Sequence, residues 1–120
     1  MNPGPGFLIF GPTHLVNLIK DVRKEFNSPN LPFVVGEITG PWVVAPKQWN
    51  DLRIAQKQAT LHDEVKAHSL FVPTHDFVRK AEDSPNKTHA HHEFGNAETI
   101  FLVGRALGEG LLKLLGSTSS

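Results

Sequence analysis

The stretch LPFVVGEI, from Leu31 to Ile38, is the part of the sequence that decides the fold. It is a short, uninterrupted apolar run of residues that favour strands, and turn-forming residues bound it on both sides. Runs of this kind are typical of parallel strands that are buried on both faces, because helices cover each side of the sheet. We therefore predict that this stretch is a central strand of an α/β domain.

The segments around this strand predict alternating helices and strands. Upstream, apolar residues recur at helical spacing over Leu15–Phe26, behind a candidate N-cap at Thr13. Downstream, the pattern predicts a helix over Gln48–His62 and a second strand over Ser69–Pro73. This order indicates a parallel sheet with helices on its faces. Two strands are few for such a sheet, so the pattern resembles one part of a larger α/β fold.

A final helix is predicted after a long polar segment, Thr74–Asn96, which by its length is either functional or disordered. Asn96 is a good N-cap, and Gly116 ends the helix. Gly104 and Gly108 share one face, which we expect to lie close to the sheet. The predicted apolar stripe consists of Ile100, Val103, Leu107, Leu111 and Leu114. Residues 1–12 are expected to be irregular, 13–116 to form one domain, and 117–120 to be a polar tail.

Composition excludes several classes of protein. Twelve basic and twelve acidic side chains cancel without long runs of either sign, so we expect no nucleic-acid partner. The chain has no cysteine, which excludes disulfides and thiolate chemistry. No stretch has the length of apolar residues that a membrane helix needs, and the first residues lack the features of a signal peptide. The compartment is left undetermined.

The segment THAHHEFGNAET, residues 88–99, places His89, His91 and His92 within four positions. One interpretation is a metal site, although neighbouring histidines on one loop rarely point at the same ion. A second is a general base, because loops at the carboxyl ends of parallel strands commonly carry catalytic groups. A third is that all three side chains are solvated loop residues.

Three stretches together resemble a known family. They are FVRKAEDSPNKTHAHHEFGNAETIFLVGRALGEGLLKLL (Phe77–Leu115), LVNLIKDVRKEFNSPNLPFVVGEI (Leu15–Ile38) and RIAQKQA (Arg53–Ala59). In this order they are similar to the C-terminal part of sialate O-acetylesterase domain proteins, a carbohydrate-esterase branch of the SGNH hydrolase superfamily. The resemblance implies a partial flavodoxin-like three-layer α/β/α sandwich with parallel strands. It also implies an acetylated carbohydrate as the substrate, with no cofactor and no metal.

The resemblance further implies a catalytic histidine just before the last helix. The family pattern "his-aromatic-x-gly-x-ala" fits His92–Ala97 best, which makes His92 the general base, with His91 as the alternative. The family's usual aspartate three residues earlier is replaced by His89. Candidate acids to orient the base are Asp76, Glu82, Asp83 and Glu93.

The serine nucleophile and the oxyanion-hole donors of the family lie in N-terminal blocks that have no counterpart in this sequence. None of the serines has a nucleophile-like context: these are Ser28, Ser69, Ser84, Ser117, Ser119 and Ser120. Since loss of one oxyanion donor alone lowers the rate about a hundredfold or more, we expect this C-terminal part to be inactive alone. The alternatives are a non-catalytic carbohydrate-binding or oligomerising module, with a homo-oligomer or a missing N-terminal half as partner, and, less favoured, metal binding at the three histidines.

Four other residues have two interpretations each. Trp42 and Trp49 either form a wall for stacking sugars or cover the sheet edge and the start of a helix. Glu37 and His75, at the ends of the two predicted strands, either face the site or face water.

Overall fold

A computed structural model describes residues 5–39 and 46–116, without the side chains of residues 5–11, 46, 90 and 91. Trp42 and the predicted polar tail, 117–120, lie outside the described residues. The helices are α1 (Pro5–Glu25), α2 (Pro46–Leu61) and α3 (Ala97–Gly116), and the strands are β1 (Phe33–Gly36) and β2 (Ser69–Val72). Three short 3-10 helices lie between β2 and α3: His75–Phe77, Ala81–Asp83 and Ala90–Gly95.

Helix α1 begins at Pro5, well before Thr13, so residues 5–12 are helical and the prediction of an irregular segment is wrong there. Proline is well tolerated in the first turn of a helix, where its missing N–H would have no intrahelical partner. Pro12 lies inside the helix and removes only one hydrogen bond of the ladder. Both Pro5 and Pro12 are therefore compatible with a helix in this segment.

The two strands pair in parallel, with Phe33 beside Ser69 and Gly36 beside Val72. This confirms the α/β class and the parallel sheet. The expectation that β1 is buried on both faces is wrong, since all four of its residues are only half-buried. Within the described residues the sheet has two strands, so β1 lacks the second neighbouring strand that would complete its burial.

Helices lie on both faces of this small sheet. On one face, Val16 and Ile19 of α1 pack with Ala59 of α2 and with Val65, and Phe33 of β1 joins this cluster. On the other face, Leu107 of α3 contacts β1 at Gly36, and Gly110 of α3 lies against Val72, Leu70 and Val34. The alternation of strand side chains explains the division, because Phe33 and Val34 point to opposite faces.

Helix α3 is rotated relative to the prediction. Gly104 and Gly108 face open space and not the sheet; the close approach occurs at Gly110. Ile100 and Leu111, predicted to be part of the inner stripe, are exposed, whereas Thr99 is fully buried. A strong apolar signal on more than one side of α3 makes the inward face ambiguous from periodicity alone.

The buried face of α1 also differs from its predicted stripe. Leu18 and Phe26 are exposed, whereas Val16 and Arg23 are buried. Arg23 is buried because it bonds the segment between α2 and β2, a partner that the local sequence of α1 does not reveal.

Candidate active site at the carboxyl ends of the strands

The carboxyl ends of β1 and β2 bring together Glu37, Thr39, Thr74 and His75, and α2 contributes Arg53 from above. In parallel sheets this edge is where ligands and catalytic groups lie. The 3-10 helix that carries His92 also reaches this edge, because Thr39 donates a hydrogen bond to Glu93. These residues form the candidate site.

Glu37 and His75 form a carboxylate–imidazole pair at the centre of this edge. Glu37 Oε1 lies 2.8 Å from Nδ1 of His75 and accepts hydrogen bonds from the backbone N–H groups of Thr74 and His75, both at 2.9 Å. The Glu37 side chain is only 9% exposed. Burial alone would raise the pKa of Glu37, but the hydrogen bonds from Thr74 and His75 and the charge of His75 outweigh it, so this pKa is lowered. Nε2 of His75 lies 3.3 Å from Asp76.

Arg53 and Gln56, one turn apart on α2, bind the backbone that continues β1. Arg53 donates to the carbonyls of Ile38 (2.8 Å) and Thr39 (2.5 Å). Gln56 accepts from the N–H of Ile38 and donates to the carbonyl of Gly36. Burial lowers the pKa of Arg53 below its usual value, although the charges of Glu37 and Glu93 act in the opposite direction. This gives the RIAQ sequence, residues 53–56, a physical role: it holds the backbone that follows β1 in place beside the candidate site.

The loop around His92 has an unusual backbone. Glu93, Phe94 and Gly95 have φ angles of 54°, 55° and 66°, which is the left-handed region. Glycine tolerates it, but two successive non-glycine residues there are strained. Hydrogen bonds hold this conformation: Phe94 N–H donates to His89, and Asn86 N–H to Phe94. Such strain is found often at functional sites.

Glu93 and Asn96 anchor the loop on the body of the domain. The Glu93 side chain is buried, and its Oε2 has no hydrogen-bond partner within the described part of the chain. Asn96 Oδ1 accepts from the N–H of Thr99 at 3.1 Å, which confirms the predicted N-cap of α3, and its Nδ2 donates to Ser84 Oγ at 3.0 Å. The loop is therefore held at two points, the carboxylate of Glu93 and the side chain of Asn96, where the loop leads into α3.

His92 is exposed at the surface of this anchored loop, and its ring lies edge-on to that of His89, with 6.1 Å between the ring centroids. The side chain of Asn86 contacts Nδ1 of His89. The side chain of His91 lies outside the described residues. Among the side chains that are described, no three His, Asp or Glu residues are placed to share a metal ion.

Three of the candidate orienting acids, Glu93, Asp76 and Glu82, have other contacts, and Glu82 lies 3.8 Å from Nζ of Lys80. Glu93 bonds Thr39, and Asp76 lies beside His75. The described serine hydroxyls at Ser69 and Ser84 donate to the backbone carbonyls of Val65 and Lys80. Both hydroxyl protons are thus directed to the backbone, which is unlike an activated nucleophile.

An open groove of about 460 Å³ starts at this edge and runs between α2 and β2. Its apolar lining includes Ile54, Leu61, Leu70, Phe71 and Pro73. The basic residues Arg53, Lys57 and Lys66 also line the groove, as do Glu37 and His75. Its volume lies within the usual range of about 300–1,000 Å³ for small-molecule sites. Trp49 is buried and belongs to the core, which agrees with its covering role.

Comparisons of the chain with protein-family models, with curated proteins and with solved structures gave no match. None of the helices within residues 5–39 and 46–116 is long and apolar enough to cross a membrane.

The pairing of Glu37 with His75 was not predicted from the sequence, and Arg53 and Gln56 had no role there beyond the family resemblance. The signal for the pairing was present in the positions of Glu37, directly after β1, and of His75, three residues after the end of β2. The signal for Arg53 and Gln56 was their spacing of three residues on a predicted helix, which places both side chains on one face.

Proposed function

We propose that the chain is the C-terminal part of a carbohydrate O-acetylesterase of the SGNH hydrolase superfamily, with His92 as its general base. The observation that carries the proposal is the anchoring of the strained loop, residues 90–95, over the carboxyl ends of two parallel strands. This is where a base would have to lie to act on a substrate bound at the sheet edge.

The placement of the helices supports a flavodoxin-like sandwich. In a sheet of strand order 2-1-3-4-5, the connections from strand 3 to 4 and from 4 to 5 run in the same direction, so their helices share one face. The final helix then covers the other face. Here α1 and α2 share a face of the sheet, and α3 lies on the opposite face. In this proposal β1 and β2 correspond to strands 4 and 5.

In the proposed reaction, His92 removes the proton from a serine hydroxyl while the serine oxygen attacks the acetyl carbonyl carbon. The bond to the sugar oxygen breaks, and the imidazolium returns the proton to that oxygen. Water, deprotonated by the same imidazole, then releases acetate from the serine. The serine would come from a separate N-terminal segment, so the chain alone is expected to be inert.

The groove between α2 and β2 favours a second candidate, a non-catalytic carbohydrate-binding module. Its apolar floor at Phe71 and Pro73 suits the apolar face of a sugar ring, and Lys57 and Lys66 would favour acidic sugars. This function requires no nucleophile, and it predicts binding by the chain alone.

The decisive experiment combines the chain with the polypeptide encoded directly upstream of it and measures acetate release from an acetylated sugar. Labelling by a fluorophosphonate, which reacts with activated serines, gives a second readout. We expect activity and labelling only in the combined preparation, with a loss of at least about a hundredfold in His92→Ala.

His91→Ala is the matched control, and it should retain most of the activity. If His91→Ala lost activity while His92→Ala kept it, the role of base would belong to His91. An inert combined preparation that still binds acetylated sugars would reject the esterase and favour the binding module.

A further inference from the structure

Helix α3 carries several large apolar side chains that are exposed. Ile100, Phe101, Leu111, Leu112 and Leu115 are exposed, with Phe101 at 66% and Leu112 at 68%. At 100° per residue, Phe101, Leu112, Leu115 and the two open glycines fall within an arc of about 80°. Apolar surface of this extent on one helix marks an interaction site.

This face has a groove in its middle. Among the described residues, nothing lies within 4 Å of the space above Gly104 and Gly108, whereas bulky side chains lie at both ends of the helix. A second helix can therefore approach the backbone of α3 closely at the glycines while its own bulky residues lie beyond them. We call this surface, formed by Phe101, Gly104, Gly108, Leu112 and Leu115, the outer face of α3.

The outer face of α3 is complementary to itself in an antiparallel arrangement. A two-fold axis at the level of Ala106 and Leu107 sets Phe101 against Leu112 of a second copy. The same axis brings Gly104 close to Gly108 of the second copy. Each pair occurs twice, so both ends of the surface are filled and the glycines meet near the centre.

The charges beside the outer face fit the same arrangement. Arg105 and Glu109 lie on one flank and are exposed, and within the chain they form an ion pair at 2.9 Å. Because a two-fold axis across antiparallel helices keeps equal flanks together, Arg105 of one copy lies beside Glu109 of the other. The opposite flank carries Ile100 and Leu111, which are both apolar. The apolar flank brings no charges together, and on the charged flank each Arg105 lies closer along the helix axis to Glu109 of the other copy than to its Arg105.

The area is sufficient for a specific pair. The exposed side chains of Ile100, Phe101, Leu111, Leu112 and Leu115 present on the order of 500 Å² per copy, so two copies would bury up to about 1,000 Å², which reaches the lower bound for a specific interface. From this area, the self-complementary shape and the flanking charges, we infer that a second copy of this chain docks on the outer face of α3, antiparallel and two-fold symmetric. The inference does not depend on the esterase proposal.

Sedimentation velocity of the full chain over a concentration series tests the inference. We expect a monomer–dimer equilibrium in the wild type and a dissociation constant at least about tenfold higher in Leu112→Glu. Arg105→Glu should weaken the dimer, and the double exchange Arg105→Glu with Glu109→Arg should restore it. Recovery in the double variant would distinguish the proposed register from unspecific adhesion of apolar surfaces.

Leu61→Glu is the matched control, since Leu61 is exposed to a similar degree (64%) at the end of α2. It should leave the dissociation constant unchanged, and far-ultraviolet circular dichroism should show the same helix content in all variants. A wild type that stays monomeric at the highest soluble concentration would overturn the inference. So would an equal effect of Leu61→Glu and Leu112→Glu, or a monomer whose outer face is occupied by the upstream polypeptide.

Discussion

Arg23 shows how one residue can connect distant parts of this fold. It lies on α1, is 7% exposed, and donates to the carbonyls of Leu31, Val65, Ala67 and His68 and to Ser69 Oγ. Its guanidinium also lies 5.6 Å from the centre of the Phe33 ring. Burial lowers its pKa, yet an arginine stays charged near neutral pH. The buried charge is balanced by the carbonyl oxygens around it.

Arg23→Lys should therefore destabilise the protein although it keeps the charge. A lysine has one nitrogen and cannot reach carbonyls on both sides, which leaves buried acceptors unpaired. We expect a loss of about 2–4 kcal/mol in the free energy of unfolding, measured by urea denaturation. The reverse exchange at its exposed neighbour, Lys24→Arg, should change this free energy by less than about 0.5 kcal/mol. Equal effects of the two variants would contradict the role assigned to Arg23.

Glu37 makes the stability of the protein depend on pH. Its pKa is lowered in the folded state, so its contribution is fully present above the pKa of the unfolded state, about 4.3, and is lost as the pH falls through the folded value. Hydrogen bonds to a charged group contribute about 1.5–3 kcal/mol, and the Glu37 carboxylate accepts several.

Glu37→Gln should be less stable than the wild type at pH 7, and the difference should shrink as the pH is lowered from about 5 to 3. Urea denaturation at each pH measures this. Glu98→Gln is the control, because its pKa is also lowered, by the hydrogen bond from Arg79, but the carboxylate is exposed. It should cause a smaller change at every pH. A difference between Glu37→Gln and wild type that does not vary with pH would show that the ionised carboxylate is not what stabilises the edge.

At the scale of elements, the surroundings of the glycines of α3 show which side of the helix packs on the sheet. A Cβ atom at Gly110 would lie 2.9 Å from Cγ2 of Val72 and 3.3 Å from a methyl group of Leu70. A Cβ atom at Gly104 would meet open space. The helix can lie this close to β2 only because Gly110 has no side chain.

The matched pair Gly110→Ala and Gly104→Ala separates helix propensity from packing. Each substitution gains up to about 1 kcal/mol of helix propensity. At Gly110 overpacking against Val72 costs about 1–3 kcal/mol, so this variant should be less stable than the wild type. Gly104→Ala should be slightly more stable. Thermal unfolding at low protein concentration measures both; a stabilised Gly110→Ala would mean that α3 does not pack closely on the strands.

At the scale of the whole molecule, the sheet is narrow and one edge of β1 is unpaired within the described residues. The N–H groups of Phe33 and Glu37 donate to His68 and Val72, both at 2.9 Å. Alternation along the strand directs the N–H of Val35 towards β2 as well, and those of Val34 and Gly36 towards the other edge. That edge is where strand 3 would pair in the proposed sandwich.

Hydrogen exchange measured by NMR tests this arrangement. In the chain alone, the amides of Val34 and Gly36 should exchange much faster than that of Val35, because they lack a strand partner. Addition of the upstream polypeptide should protect both amides if it supplies the missing strand. Protection of Val34 and Gly36 in the chain alone would show that β1 already has a second neighbour.

The sequence by itself determined the α/β class, the approximate positions of both strands and α2, and the N-cap of α3 at Asn96. These features depend on short-range signals: an apolar run, a helical period, and a side chain that bonds a backbone N–H three residues away. The location of the histidine cluster between β2 and α3 belongs to the same group. The His92→Ala and His91→Ala variants test its proposed role as the base of an esterase.

Only the tertiary structure decided which side of each helix faces inward. The buried Arg23, the contact of Gly110 with Val72 and the pairing of Glu37 with His75 each involve residues far apart in sequence. Helical periodicity identifies apolar positions but not the partner that covers them, so α1 and α3, which have apolar residues on more than one side, were rotated from their predicted orientation. Which side chains are buried depends on the helices and strands that pack against them, and these come from distant parts of the sequence.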